Sequence, residues 1–230
     1  MKALILAAGL GSRLKYKTKN KPKCLVAYKG KPILDYQLNS LSQNGINQIV
    51  IVVGYKKEKL LNYLKRYNKK FNFEIVFNKR YNNTDSAFSY FLAINKIVKS
   101  SYIHLNSDII FSKNTLQKII KSKKDNIIAS SNKIKLANQM DLVDYSKNLL
   151  IKKFDNKYFE GAKAKIFGLA KFSSKTSKVL YKHIKKDIVK GKKKTKCFSY
   201  LKDIVKNKKI YTKNFSNKEI LETNTLKDFR

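Results

Sequence analysis

The chain has 230 residues, of which 43% are hydrophobic, and its 52 basic and 15 acidic residues give a formal net charge of +37. This length and hydrophobic content suit one domain with a sizeable core and exclude a disordered chain. The apolar runs are far shorter than the roughly 18 residues that a membrane-spanning helix needs, and the amino-terminal apolar stretch has no cleavage site. Because the two cysteines, Cys24 and Cys197, are distant in sequence, we predict neither a disulfide framework nor a cysteine metal cluster and expect a reduced, cytoplasmic setting.

The high positive charge has two interpretations. Proteins that bind nucleic acids are often strongly basic, and a basic nucleic-acid-binding module therefore stays an alternative. Here, however, the lysines are spread along the whole chain and arginine is scarce, although arginine is the preferred residue for recognising phosphates and bases. This distribution favours a general lysine enrichment of the solvated surface, and we do not expect a nucleic-acid partner.

The first predicted element is an apolar strand, Ala3–Ala8, which ends in a loop that contains Gly9 and Gly11. Glycine has no Cβ, so backbone N–H groups in such a loop can come close to an anion. Arg13 adds a planar fork of donors suited to phosphate oxygens, and Lys23 adds a mobile point charge. The loop has neither the Walker A spacing nor the three-glycine Rossmann fingerprint. Two glycines alone are equally typical of an ordinary strand-to-helix turn.

The following segments alternate between helices and strands. The pattern predicts helices at Ile33–Asn44 and Lys56–Tyr67 and strands at Gln48–Val53, Phe73–Phe77 and Tyr102–Leu105. Such alternation is typical of βαβ units and of a parallel sheet covered on both faces. In these sheets, ligands bind beyond the carboxyl ends of the strands, which is where the loop with Gly9 and Gly11 is expected.

Asp108 follows the strand Tyr102–Leu105 closely in a chain that has few acidic residues. A carboxylate at this strand end would lie beside the glycine loop, where a Mg²⁺ ion that bridges triphosphate oxygens needs a hard oxygen ligand. Asp108 is alternatively a turn former or a helix cap, since a helix is predicted to begin near Ser112.

The second half of the chain is predicted to be richer in strands. We expect strands at Asn126–Ser131, Gln139–Tyr145, Asn148–Phe154 and Lys165–Phe172, and helices at Ser174–Lys190 and Phe198–Val205. The basic run Gly191–Lys196 reads as a solvated loop. His104 and His183 have no metal-ligand spacing, so both are expected to be structural or exposed.

The opening segment resembles the start of the nucleotidyltransferases that join a nucleoside triphosphate to a phosphorylated small molecule. Their pattern reads approximately L-A-A-G-x-G-x-R-L, followed by P-K about ten residues later. The matching residues here are Leu6–Gly9, Gly11, Arg13–Leu14 and Pro22–Lys23. Segments near Asp108 and Asn224 resemble two further motifs of this family.

This resemblance implies an α/β fold: a Rossmann-like three-layer α/β/α arrangement with a mostly parallel central sheet and a smaller β-rich acceptor-binding subdomain. No Pro/Gly-rich linker interrupts the chain. We therefore expect a single domain, residues 1–230, with a nucleotide-binding part at 1–131 and an acceptor-binding and carboxyl-terminal part at 132–230.

The resemblance also implies the roles of particular residues. Arg13 and Lys23 would hold the triphosphate during catalysis, and Asp108 would be the metal-binding aspartate of a Mg²⁺ site. Relatives place a second metal ligand where Asn224 stands, although capping of a short helix at Leu226–Phe229 explains Asn224 equally well. The predicted nucleotide-binding residues are Leu6, Ala7, Ala8, Gly9, Gly11, Ser12, Arg13, Lys23, Asp85 and Ser89.

The segment around Asp85 and Ser89 resembles the smaller branch of the family, which activates phosphocholine, aminoethylphosphonate and related compounds. An ionised Asp85 would accept a hydrogen bond from the exocyclic amine of cytosine and repel the carbonyl of uracil, which favours CTP. Helix capping is the alternative role of Thr84, Asp85 and Ser86.

We therefore expect a cytidylyltransferase whose partners are CTP, or another nucleoside triphosphate, and a small phosphorylated or phosphonylated acceptor, with no membrane partner. A homodimer is one assembly that the sequence allows. The candidate acceptor-binding residues are Lys153, Lys165, Gly168 and Tyr200, and a partial aromatic cage for a quaternary ammonium would use Tyr145, Tyr158 and Tyr200. A sugar-1-phosphate nucleotidyltransferase that uses UTP or dTTP is the alternative enzyme.

Overall fold

The structure is a computed structural model that describes residues 1–229. Its first half contains β1 (Lys2–Ala7), β2 (Ala27–Tyr28), β3 (Lys31–Pro32), α1 (Ile33–Gln43), β4 (Gln48–Val53), α2 (Lys57–Leu64), β5 (Asn72–Phe77), α3 (Ser86–Ile97), β6 (Tyr102–Asn106), β7 (Ile109–Phe111) and α4 (Lys113–Ile120). Its second half contains β8 (Ile127–Ser131), β9 (Leu142–Tyr145), β10 (Ile151–Asp155), β11 (Ala164–Phe172), α5 (Ser174–Val189), α6 (Leu201–Ile204), β12 (Tyr211–Asn214) and β13 (Ile220–Glu222).

A nine-stranded sheet forms the centre of the molecule. Seven strands follow the order β10-β9-β11-β6-β1-β4-β5, while β8 pairs with β11 and β12. Strand β1 pairs in parallel with β4 and β6, and β4 pairs in parallel with β5. The expected α/β fold with a mostly parallel sheet is confirmed, and the β-rich second half continues this sheet because β11 pairs antiparallel with β6.

Helices cover both faces of the sheet. Leu4 and Leu6 of β1 belong to the core on the face of α3 and α5. Ala3 and Ile5 belong to the core on the opposite face, which packs against α1, α2 and α4. Because successive side chains of a strand point to opposite faces, the unbroken apolar run of β1 fills both cores at once.

Several element ends differ from the sequence prediction for local reasons. Two predicted strands begin later, at Leu142 and Ile151, because Gln139 and Leu149 have positive φ angles of 67° and 64°, which a strand does not accommodate. The helix predicted to reach Tyr67 ends at Leu64 and continues as a 3₁₀ turn. Within residues 1–229, no helix combines the length and apolar character that crossing a membrane requires.

The topology brings distant parts of the chain to the carboxyl ends of β1 and β6. Leu6 of β1 is in register with Asn106 of β6, so the two strands end side by side. Strand β13 pairs with β7 and places Glu222 opposite Ile109. The segment that follows β13 therefore lies beside the turn that contains Asp108.

Candidate active site

A cavity of about 600 Å³ opens beyond the carboxyl ends of β1 and β6. One side is formed by the loop after β1 and the turn after β6. The residues that follow β13 lie beside this turn, and the amino-terminal end of α3 and the segment before β9 complete the lining. Most of the predicted nucleotide-binding residues line this cavity: Leu6, Ala8, Gly9, Gly11, Ser12, Arg13, Lys23, Asp85 and Ser89. Ala7 does not, because its side chain is buried in the core on the α1 side of the sheet.

Four predicted polar residues meet in one hydrogen-bonded cluster. The Nζ atom of Lys23 donates to Oδ2 of Asp108 at 2.8 Å and to Oδ1 of Asn224 at 3.0 Å. Nη2 of Arg13 donates to the same Asn224 oxygen at 2.7 Å. The Lys23 and Asp108 side chains are only 11% and 17% exposed, so solvent screens their interaction weakly.

The loop after β1 is packed directly onto Lys23. Gly11 has a φ angle of +67°, and its carbonyl oxygen accepts a hydrogen bond of 3.0 Å from the Thr18 hydroxyl. A Cβ atom on Gly11 would lie 3.0 Å from Cγ2 of Thr18 and 3.1 Å from Cβ of Lys23. Glycine is therefore required here both by the backbone angle and by the neighbouring side chains.

The turn that carries Asp108 is held by hydrogen bonds to its backbone. Both amide hydrogens of Gln37 are used, since Nε2 donates to the carbonyl oxygens of Asn106 and Ile109 at 2.8 Å each. The backbone N–H and the hydroxyl of Thr223 donate to the carbonyl oxygen of Asp108 at 2.8 Å and 2.9 Å. Sequence reasoning missed Gln37, although a polar residue on the buried face of α1 is a detectable signal.

Two oxygen atoms of the cluster, one from Asp108 and one from Asn224, are of the type that binds hard cations. Oδ1 of Asp108 is buried and has no hydrogen-bond partner, and Oδ1 of Asn224 faces two cationic side chains. Among the described residues, no group of three or more His, Cys, Asp or Glu side chains is placed to hold a metal ion. Mg²⁺ is typically bound through one or two protein oxygens together with substrate phosphates. One carboxylate and one amide oxygen therefore fit this ion.

Asp85 acts as the N-cap of α3, and its carboxylate accepts a hydrogen bond from the backbone N–H of Ser86 at 2.6 Å. Asp85 is exposed and also lines the cavity. Nδ2 of Asn78 donates to the hydroxyls of Ser89 and Thr84, both at 3.1 Å. Asn78 lines the cavity as well and was not predicted from the sequence.

The basic run Gly191–Lys196 is not simply a solvated loop. The carbonyl oxygens of Lys193 and Thr195 accept hydrogen bonds, both of 3.1 Å, from the backbone N–H groups of Asp85 and Ala87. These bonds hold the loop against the amino-terminal end of α3, where backbone donors lack helical partners. Lys196 consequently lines the cavity, a position that no local sequence signal indicated.

Of the four residues predicted to contact the acceptor, only Lys165 lines the cavity. Lys153 lies on β10 with its Nζ 4.3 Å from the ring centroid of Phe159. Tyr200 is buried, and its hydroxyl donates to Oδ2 of Asp187 at 3.1 Å. The fourth residue, Gly168, lies directly against the side chain of Asn106.

Beside Lys165, the cavity wall carries two acidic groups. Lys165 forms an ion pair with Glu222, and both side chains are largely buried. Asp141 is nearby, with a buried Oδ1 atom that has no hydrogen-bond partner, and burial raises the pKa of this carboxyl group. Lys196 faces the same region and partly opposes this effect on Asp141. This end of the cavity thus presents both signs of charge.

The predicted aromatic cage does not form. Tyr158 is 57% exposed, the hydroxyl of Tyr145 accepts a hydrogen bond from Asn214, and neither ring lines the cavity. Tyr81 is the one aromatic side chain among the described residues that line it. The cysteines supply no nucleophile, since Cys24 and Cys197 are buried and free, and burial raises the pKa of the Cys24 thiol to about 12.

A comparison with protein families identifies the family to which the chain belongs. The family model described as nucleotidyl transferase matches residues 2–196. The chain belongs to the nucleotidyltransferase family. This membership agrees with the α/β fold and with the family motifs that meet at the cavity.

Two curated relatives of this nucleotidyltransferase match part of its length. CTP:phosphoglutamine cytidylyltransferase of Campylobacter jejuni is 38% identical over 130 residues, which are 54% of this chain and 50% of the relative. Choline-phosphate cytidylyltransferase of Streptococcus pneumoniae is 44% identical over 103 residues, 45% of this chain and 43% of the relative. The matches thus span about half the length of these relatives.

Solved structures match the nucleotidyltransferase over its whole length. The CTP:phosphocholine cytidylyltransferase of Streptococcus pneumoniae aligns with a TM-score of 0.82 and 26% identity, and the alignment covers 100% of this chain and 96% of the other. The inositol-1-phosphate CTP transferase of T. maritima aligns with a TM-score of 0.78 and 22% identity over 100% of this chain and 91% of the other, which supports the fold alone.

Proposed function

We propose that this nucleotidyltransferase transfers CMP from CTP to a small phosphorylated or phosphonylated acceptor and releases pyrophosphate. The observation that carries the proposal is the cluster of Arg13, Lys23, Asp108 and Asn224 beside the loop after β1. The named activities of the two curated relatives support CTP as the nucleotide. Asp85 caps α3 and also lines the cavity, where a carboxylate can accept a hydrogen bond from the cytosine amine.

In the proposed reaction, an oxygen of the acceptor's phosphate or phosphonate forms a bond to the α-phosphorus of CTP. The bond between the α-phosphorus and the bridging oxygen breaks, and pyrophosphate leaves with that electron pair. The attacking oxygen is already ionised near neutral pH, so the step needs no general base. This agrees with the absence of histidine and cysteine side chains from the described cavity lining.

The chain's own residues would act by positioning and by neutralising charge. Backbone N–H groups near Gly9 and Gly11 would hold the triphosphate, together with the cationic groups of Arg13 and Lys23. Asp108 and Asn224 would hold Mg²⁺, which supplies charge neutralisation to the phosphate oxygens. In the structure, Lys23 bridges these two oxygens, so we expect its ammonium group to turn toward the phosphates when substrate binds.

We propose an acceptor that carries an amine as well as a phosphate or phosphonate. Lys165 and Lys196 provide positive charge for the anionic group, while Asp141 and Glu222 provide carboxylates for a cation. A primary ammonium can donate hydrogen bonds to carboxylates, whereas a quaternary ammonium is recognised mainly by aromatic faces. Because Tyr81 alone provides such a face in the described lining, we expect phosphoethanolamine or aminoethylphosphonate to be better acceptors than phosphocholine.

The test is pyrophosphate release measured for four nucleoside triphosphates against a panel of acceptors. The panel contains phosphocholine, phosphoethanolamine, aminoethylphosphonate and hexose 1-phosphates, and Asp108→Asn is the inactive control. We expect release with CTP and the amine-containing acceptors. Release only with UTP or dTTP and a hexose 1-phosphate would replace this proposal with the sugar-nucleotide alternative. Tight, steeply salt-dependent binding to DNA or RNA without any release would indicate the nucleic-acid-binding module.

A further inference from the structure

Asn106 stands at the carboxyl end of β6 and lines the cavity. It is in register with Leu6, the residue with which the nucleotide motif begins. Leu6 and Ile166 line the same cavity. Neither the family motifs nor the proposed mechanism gives this side chain a role.

The oxygen end of the Asn106 side chain faces a buried histidine. Nε2 of His104 lies 3.3 Å from Oδ1 of Asn106. His104 is fully buried, and its ring packs 4.8 Å, centroid to centroid, from that of Phe198. Burial lowers the pKa of His104 to about 4, so the imidazole is neutral near pH 7.

The ring hydrogen of this neutral histidine is best placed on Nε2. Nδ1 of His104 is buried and has no hydrogen-bond partner. A buried N–H without a partner is rarer than a buried acceptor without one, so the tautomer with hydrogen on Nε2 costs less. In that tautomer Nε2 donates to Oδ1 of Asn106. The amide NH₂ of Asn106 then points away from His104.

Gly168 of β11 lies directly against the side chain of Asn106. A Cβ atom at position 168 would lie 2.4 Å from Cβ, Cγ and Nδ2 of Asn106. Glycine therefore makes room for Asn106 and does not itself line the cavity, which corrects its predicted role as an acceptor-binding residue. Nδ2 of Asn106 donates no hydrogen bond to a described protein atom. It is also not fully buried.

We propose that Asn106 is a substrate-binding residue whose amide NH₂ donates a hydrogen bond to a substrate oxygen, and that His104 is the positioning residue that fixes its orientation. The proposal rests on the proposed function, which supplies two substrates rich in phosphate oxygens. CTP and the acceptor both offer phosphate or phosphonate oxygens to this amide, and the KM values for the two substrates distinguish between them.

The first test replaces the donor and keeps the shape. In Asn106→Asp, one carboxylate oxygen still accepts from His104, while the other meets the substrate without a hydrogen to donate. We expect kcat/KM to fall about 10- to 100-fold, with a raised KM for the substrate that the amide contacts, CTP or acceptor. Asn95→Asp, at an exposed position on α3, is the matched control and should retain wild-type kinetics. Wild-type kinetics in Asn106→Asp would overturn the proposal.

The second test separates positioning from packing. His104→Phe keeps an aromatic ring beside Phe198 and removes the hydrogen bond to Asn106. We expect a loss of roughly 5-fold in kcat/KM when Asn106 is present and no further loss in an Asn106→Ala background, as coupled residues behave in a double-mutant cycle. Equal losses in both backgrounds would show that His104 acts only through packing and would overturn its assigned role.

The third test does not depend on catalysis. The chain has two histidines, so ¹⁵N-histidine labelling gives two ring systems, and only that of His104 is buried. We expect His104 to carry its hydrogen on Nε2 near pH 7. Hydrogen on Nδ1 would turn the Asn106 amide around and overturn the inference. If the wild-type protein releases no pyrophosphate with any substrate pair, the proposed function fails, while this measurement still decides the orientation of Asn106.

Discussion

Gln37→Met tests whether hydrogen bonds from α1 hold the turn that carries Asp108 in place. The substitution preserves the approximate length of the side chain and removes the two 2.8 Å hydrogen bonds to the carbonyl oxygens of Asn106 and Ile109. Leaving a buried carbonyl without a partner costs about 1–3 kcal/mol. Removing Oε1 of Gln37, which is itself buried and unpartnered, offsets part of this cost. We expect a net loss of about 1–3 kcal/mol in the free energy of unfolding.

The assay is urea denaturation combined with turnover at saturating substrate. Because Thr223 still holds the Asp108 carbonyl, the protein should fold, but the carboxylate should be placed less accurately and kcat should fall about 10-fold. Gln43→Met changes an exposed glutamine on the same helix and is the matched control. If Gln37→Met unfolds within about 0.5 kcal/mol of the wild type and keeps its kcat, Gln37 does not hold this turn.

Three further predictions concern the loop, its lysine and the buried histidine. Gly11→Ala should lower kcat/KM for CTP, because the new Cβ atom would contact Lys23 too closely. Gly161 has a comparable φ angle of +82° and no atom near its Cβ position, so Gly161→Ala should lower only the free energy of unfolding. Steady-state kinetics of both variants check this. Lys23→Ala should reduce kcat about 100-fold or more, measured against the exposed Lys21→Ala, and similar rates in the two variants would contradict the role of Lys23. The pKa of His104 is about 4 in the folded protein, below the ordinary 6.5. As pH falls, this histidine is therefore protonated in the unfolded chain before it is protonated in the folded one. The free energy of unfolding should consequently drop by about 2 kcal/mol between about pH 7.5 and about pH 5. Urea unfolding should show this drop in the wild type and not in His104→Phe.

The sequence indicates well which residues of the loop after β1 and of the turn after β6 line the cavity, because these signals are local. The apolar strand, the glycine loop and the aspartate after β6 each follow from a short stretch of residues, and the parallel topology brings strand ends together. Lys23, Asp108 and Asn224 were singled out separately. The structure shows that they share hydrogen bonds across separations of 85 and 201 residues.

The part of the cavity lining around Lys165 was poorly predictable because long-range packing selects its residues. In a chain with 52 basic residues, no local pattern distinguishes Lys165 and Lys196, which line the cavity, from Lys153, which does not. Lys196 reaches the cavity only because its loop bonds to the start of α3. The contact between Gly168 and Asn106 could not be predicted from local sequence either, because the two residues lie on different strands.

The most direct test of the account is a crystal structure with CTP and Mg²⁺. We expect the triphosphate to contact the backbone of the loop at Gly9 and Gly11, Mg²⁺ to be bound by Asp108 and Asn224, and the Lys23 ammonium to have moved from Asp108 to a phosphate oxygen. CTP bound outside this cavity, or a metal ion that does not contact Asp108, would contradict the account.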